Sequence, residues 1–129
     1  MVNVIITSDP RYEVNRAAVQ DAVIDVLAQH KVTSHVEVEV SVVGDRKMHE
    51  LNKKYRGIDK TTDVLSFCLE EGNGTGFIAF PDNILRLGSI VISYPQAIED
   101  ASLDGKSIED EVNFLVTHGT THLLGIHHD

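Results

Sequence analysis

Two histidines, His118 and His122, stand four residues apart near the end of the chain, and His128 follows six residues later. On a helix, positions i and i+4 share one face, with Cβ atoms about 5–6 Å apart. Two imidazoles placed this way can converge on one metal ion, because each Zn–N bond is only about 2.0–2.1 Å. Gly125 lies midway between the second and third histidines. It can end the helix in a left-handed conformation and turn the chain back, so that His128 reaches the same ion. Three neutral nitrogen ligands leave a fourth position open, which is the mark of a catalytic rather than a structural zinc. His127 is an alternative third ligand, although the spacing favours His128. An expression tag would be a continuous histidine run, whereas these are threaded through an apolar helix.

The spacing H-x-x-x-H-x-x-G-x-x-H is that of the metzincin metalloproteases, with one departure. Those enzymes carry Glu directly after the first His, as the general base. Here the position is Gly119. Glycine takes no proton, so a metal cage is expected without the peptidase base.

These residues need a scaffold, and 129 residues suffice for one domain with an ordinary core. The hydrophobic fraction of 42% and charged fraction of 24% fit a soluble globular protein. The opening Met-Val-Asn-Val-Ile-Ile is too short and uncharged for a signal peptide. No apolar run approaches the 18 or so residues of a membrane span. Cys68 is the only cysteine, which excludes an internal disulfide and fits a reducing cytoplasm.

Val2–Thr7 reads as a first strand. Asp9-Pro10 is expected to open a helix running to about His30, with Val14, Val19, Val23, Val26 and Leu27 at helical spacing. His35–Val43 alternates strongly, with Val36, Val38, Val40 and Val42 on one face and Glu37 and Glu39 on the other. It is expected to be a half-exposed strand near a sheet edge. Asp45 is a plausible N-cap for a short helix through Tyr55, with Met48, Leu51 and Asn52 inward and Arg56-Gly57 ending it. Val64–Leu69 and Gly88–Ser93 are two further strands. Residues 71–76 read as a glycine-rich turn, and 77–80 as a short strand or flap. A helix follows over Tyr94–Ala101. Ser107 caps the last helix, whose core stripe is Val112, Leu115, Val116 and Leu123. The expected architecture is a single α+β domain over residues 1–129, with a small mixed sheet of about four strands covered by helices and the zinc site at the C-terminal helix.

Charge adds a second feature. The net charge of −9 argues against non-specific nucleic-acid binding. Yet six of the eleven Lys and Arg fall in one window: Arg46, Lys47, Lys53, Lys54, Arg56 and Lys60. Only Glu50 and Asp59 oppose them there. Such a patch can hold phosphates, with Lys53, Lys54 and Lys60 as candidate contacts. From charge counting alone, a solvated helix face is the simpler account.

Two blocks now coincide with a third. The tail His118-Gly119-x-x-His122-Leu123-x-Gly125-x-x-His128 resembles the H-G-x-L-H-L-x-G-Y-D-H signature of the YbeY family. The segment from Leu51 to Phe67 looks like that family's second block, and Leu87-Gly88-Ser89-Ile90-Val91-Ile92-Ser93 resembles a third. All three occur in the family's order. The resemblance implies a single-strand-specific, metal-dependent endoribonuclease that matures ribosomal RNA, notably the 3′ end of the small-subunit RNA. It also implies a role in ribosome quality control, with small-subunit components and a ribosome-associated GTPase as partners. Carried over by position, His118, His122 and His128 would hold one zinc ion per chain, and Arg56 would be the family's functionally important arginine. The chain departs from the pattern at Thr121 (usually Leu, a core position), His127 (usually Asp), Ser89 (usually Asp) and Cys68 (commonly Pro).

A guanidinium beside a metal is chemically sensible for phosphodiester cleavage. The transition state gathers negative charge, which Arg56 can meet with two hydrogen bonds while the metal polarises a phosphoryl oxygen. The attacking group can be a metal-activated water or the RNA 2′-hydroxyl. With no Trp and few aromatics, base stacking should be limited. Two rival readings stand beside this one. One is a metallopeptidase-like hydrolase, disfavoured by Gly119. The other is a non-catalytic, zinc-containing ribosome-assembly factor.

Overall fold

A computed structural model of the protein describes residues 2–32, 35–68 and 84–125. Alternating valines and isoleucines build the first two strands, β1 (Val2–Ser8) and β2 (Val36–Val43), and helix α1 (Arg16–Gln29) connects them. Helix α2 (Asp45–Arg56) follows, then β3 (Val64–Cys68), β4 (Leu85–Ser93), α3 (Tyr94–Asp104) and α4 (Ile108–Leu123). The strands form one mixed sheet in the order β1-β2-β4-β3. The first three of that order are mutually parallel, and β3 runs antiparallel to β4. The expected α+β class and four-stranded mixed sheet are therefore observed.

The strand over Val36–Val43 is not at an edge. It lies between β1 and β4, and its alternation has another cause. One face of the sheet is covered by α1 and α4, which bury Val36, Val38, Val40, Ile90 and Ile92. The opposite face is covered only in part. There α2 packs Met48 on Leu65 and Val91, with Leu51 and Phe67 at the margin. Over β1 and β2 that face keeps Asn3, Ile5 and Glu39 exposed. Uneven helix cover, not an edge position, gives β2 its polar side.

The first helix also starts later than Asp9-Pro10 implies. The Asp9 carboxylate accepts from the Arg11 backbone N–H at 2.9 Å, a local turn that competes with helix initiation. Asn15 is the true N-cap, accepting from Ala18 N–H at 3.0 Å. Gly44 rather than Asp45 precedes α2, and Asp45 occupies its first turn. Its carboxylate accepts from Ser93 Oγ at 2.7 Å and Thr61 Oγ1 at 3.1 Å, tying α2 to the end of β4. Strand β4 begins three residues before Gly88, and α3 runs three residues beyond Ala101. The turn read at 71–76 and the strand or flap at 77–80 lie outside the described residues. Among the described residues, no helix is long and apolar enough to cross a membrane.

Candidate metal and RNA site at one end of the sheet

Helix α4 is built as expected. Ser107 Oγ accepts from Asp110 N–H at 3.0 Å, and Val112, Leu115, Val116 and Leu123 face the core. His118 and His122 lie beside that stripe, both half-buried, with ring centroids 4.4 Å apart. The helix ends at Leu123, and Gly125 follows with φ +80°. Its N–H donates to His122 O at 2.9 Å. This is the left-handed turn that the Gly125 position required. His127 and His128 lie outside the described residues, and no group of three metal-ligating side chains occurs among the described ones.

The donor set present fits a zinc ion. Two imidazoles share one face, as an i, i+4 pair must to reach a single ion. Both stand near the carboxyl end of α4, where unpaired carbonyls make the local potential favourable to a cation. Gly119 fits the same scheme. It is buried, and a Cβ there would lie 2.8 Å from Ile90 Cγ2 and 3.2 Å from Ser66 Oγ. The helix approaches the sheet so closely that position 119 faces Ile90. A glutamate could not occupy it. The side chain next in sequence to His118 is thus excluded by packing, in addition to lacking a base.

The signature departures divide by face. Thr121 is not a core position: it is half-exposed, and its hydroxyl donates to Thr117 O at 2.9 Å. Thr120 is the buried one, bonded to Val116 O at 2.8 Å. Cys68 Sγ lies 3.7 Å from His122 O, so it touches the backbone that carries the second histidine. Ser89 pairs between Glu39 and Phe67, on the α2 side of the sheet.

Arg56 ends α2, before Gly57 at φ +69°. Its neighbour Tyr55 meets Phe67 edge-on at 5.3 Å between centroids. Phe67 adjoins Cys68, which meets His122. The carboxyl ends of α2 and α4 therefore reach the same end of β3 from opposite faces of the sheet. A structural role for Arg56 would pair it with Asp59 or Asp63, and neither pairing is observed. His49 Nε2 lies 2.6 Å from Asp59 Oδ1, and Lys53 Nζ lies 3.9 Å from it. Arg56 makes no ion pair among the described residues. Lys53, Lys54 and Lys60 are all exposed. Asn52 is buried and donates to Lys60 O at 2.8 Å, which folds the 57–60 loop back on the helix. Sequence reading placed Asn52 inward without this role.

Arg46 and Lys47 sit at the other end of α2, about 9–15 Å along its axis from Lys53, Lys54 and Arg56. They line a separate cleft of about 730 Å³ with Arg11, Asp9, Asp45 and Glu50. Three carboxylates there match three cations, so that cleft has no excess positive charge. The basic residues of α2 therefore fall into two groups, one lining a cleft with matching carboxylates and one in the last turn of the helix. Phe114 was missed altogether. It lies one turn before His118 on the same helical face, with ring centroids 6.4 Å apart. The i, i+4 spacing of 114, 118 and 122 was the available signal.

A mixed four-stranded sheet carrying a histidine pair on its last helix defines a small α+β domain. The family model described as "Endoribonuclease YbeY" matches residues 5–129. A protein of that name from Roseiflexus castenholzii is 39% identical over 122 residues, covering 93% of this chain and 76% of the relative. One from Chloroflexus aggregans is 37% identical over 128 residues, covering 99% and 82%. The solution structure of a Thermotoga maritima protein is similar with a TM-score of 0.57 and 26% identity, covering 98% of this chain and 75% of that one. This chain belongs to the YbeY family.

Proposed function

We propose that this protein is a zinc-dependent, single-strand-specific endoribonuclease that acts in maturation of small-subunit ribosomal RNA at its 3′ end and in ribosome quality control. The observation that carries the reading is the His118–His122 pair, with rings 4.4 Å apart, at the end of the sheet that the carboxyl end of α2 also reaches. His118, His122 and His128 would hold one zinc ion. When bound, that ion supplies Lewis acidity toward a phosphoryl oxygen. Arg56 meets the charge that builds on the phosphate, through two donors of one planar group. Lys53, Lys54 and Lys60 bind flanking phosphates and set the strand along α2. Single-stranded ribosomal RNA is the substrate; small-subunit components and a ribosome-associated GTPase are the partners, and the cytoplasm is the compartment. Names of the relatives and the family match support the ribonuclease class.

Stringently purified protein should contain about one zinc per chain and cleave single-stranded but not duplex RNA. Arg56→Lys keeps the charge and loses the fork, so cleavage should fall at least tenfold with metal content unchanged. Cleavage by Arg56→Lys at the parental rate would remove Arg56 from the chemistry. Absence of cleavage, with RNA binding and zinc retained, would favour the assembly-factor reading instead.

A further inference from the structure

We propose that Phe114 is the stacking platform for an unpaired base of the RNA substrate, one helical turn from the candidate metal ligands. The inference rests on the ribonuclease reading and extends it to how the strand is held. Phe114 is 54% exposed, so its ring contributes little to the core. It is inclined only 21° to His118, and His118 in turn lies 4.4 Å from His122. The three rings follow one face of α4 at intervals of four residues. A base laid on the first ring is therefore delivered next to the histidine pair.

The charges around the ring favour this occupant. Lys106 Nζ stands 4.4 Å from the Phe114 centroid, over the ring. Its flexible stem can yield the face to a base and carry the ammonium to the adjoining phosphate. Asp110 lies one turn before Phe114, and the exposed Glu109 shares that first turn. Their carboxylates repel a phosphodiester backbone. The strand is thus confined to the direction from Phe114 toward His122. Stacking of this kind tolerates every base, since each has a π-face. It also excludes duplex RNA, whose bases have no free face. The platform accordingly supplies a physical source for single-strand preference in a chain with no Trp.

Phe114→Trp introduces the only indole of the protein, so its emission reports on this position alone. Titration with a short single-stranded oligoadenylate should quench that emission saturably, while a duplex of equal length should not. Phe114→Ala should weaken single-strand binding about tenfold, the scale of stacking one base on an aromatic ring, and Phe114→Tyr should restore it. Circular dichroism should match the parent throughout, because the side chain is on the surface. If the parent binds single-stranded RNA, but Phe114→Ala binds it equally and the indole is not quenched, the platform is wrong and the ribonuclease reading survives. If the parent itself binds no single-stranded RNA, both fall together.

Discussion

An alanine methyl at position 119 would lie 2.8 Å from Ile90 Cγ2. Both partners are on regular elements, so the strain must be relieved by moving α4 or the sheet. Gly119→Ala should cost about 1–3 kcal/mol in urea denaturation, the range for overpacked cores. It should also loosen metal binding, because α4 carries the candidate ligands His118 and His122. A stability equal to that of the parent would show that the helix can slide without penalty. The tail ligands allow a sharper test. His122→Ala and His128→Ala should each strip most of the zinc, whereas His127→Ala should leave about one ion per chain. Elemental analysis showing the reverse for the last two would make His127 the third ligand. The helical half of this site was legible in the sequence, since spacing alone puts His118 and His122 on one face. What Gly119 packs against was not, because Ile90 and Ser66 are distant in sequence and only the sheet order brings them to α4.

At the level of elements, α2 presents two surfaces with different tasks. Met48 and Asn52 are buried, one against the sheet and one holding the 57–60 loop. The other side is cationic, and its exposed charges concentrate in the last turn, at Lys53, Lys54 and Arg56. Cations at a helix carboxyl end are also favoured by the aligned peptide dipoles. A purely structural account would therefore explain them without RNA. Reversing Lys53 and Lys54 to Glu separates the two explanations. RNA binding should weaken and the slope of log affinity against log salt should flatten by about 1.4, the value for two phosphate contacts on a single strand. A parental slope would return this turn to dipole stabilisation. Helix and strand identities were readable here from periodicity and from Gly57. Neighbour relations were not: the valine alternation of β2 looks the same at an edge as beneath a half-covered face.

The molecule as a whole has an acidic seam where α3, α4 and the approach to β3 meet. Burial, followed by the hydrogen bond and charge of Asp63, pushes Asp100 up to about 6. Glu111 is also raised, first by burial and then by Asp104, with Lys106 opposing. Only 2% of Glu111 is exposed, and its Oε1 has no hydrogen-bond partner among the described residues. A raised folded-state pKa means the folded protein holds the proton more tightly than the unfolded chain. That contribution is complete below pH about 4 and is lost as pH rises through about 6 for Asp100. Asp100→Asn removes the penalty of the charged form. Its melting temperature relative to the parent should therefore be more favourable at pH 7.5 than at pH 4.5. A difference that does not vary with pH would mean that Asp100 titrates normally.

Strand β3 has only five residues, and among the described residues its one paired neighbour is β4. Tyr55 leans on it from one side, and the backbone of His122 meets it from the other. Such a short strand opens at a lower free energy than the parallel strands β2 and β4 beside it. Each opening would release the carboxyl ends of the two helices from their common reference without unfolding the core. Heating should then abolish catalysis several degrees before the cooperative melt, and amide protons of Leu65 and Phe67 should exchange faster than those of Val38 and Val40. On this account the temperature at which cleavage stops should follow substitutions in β3 and not those in the core under α1.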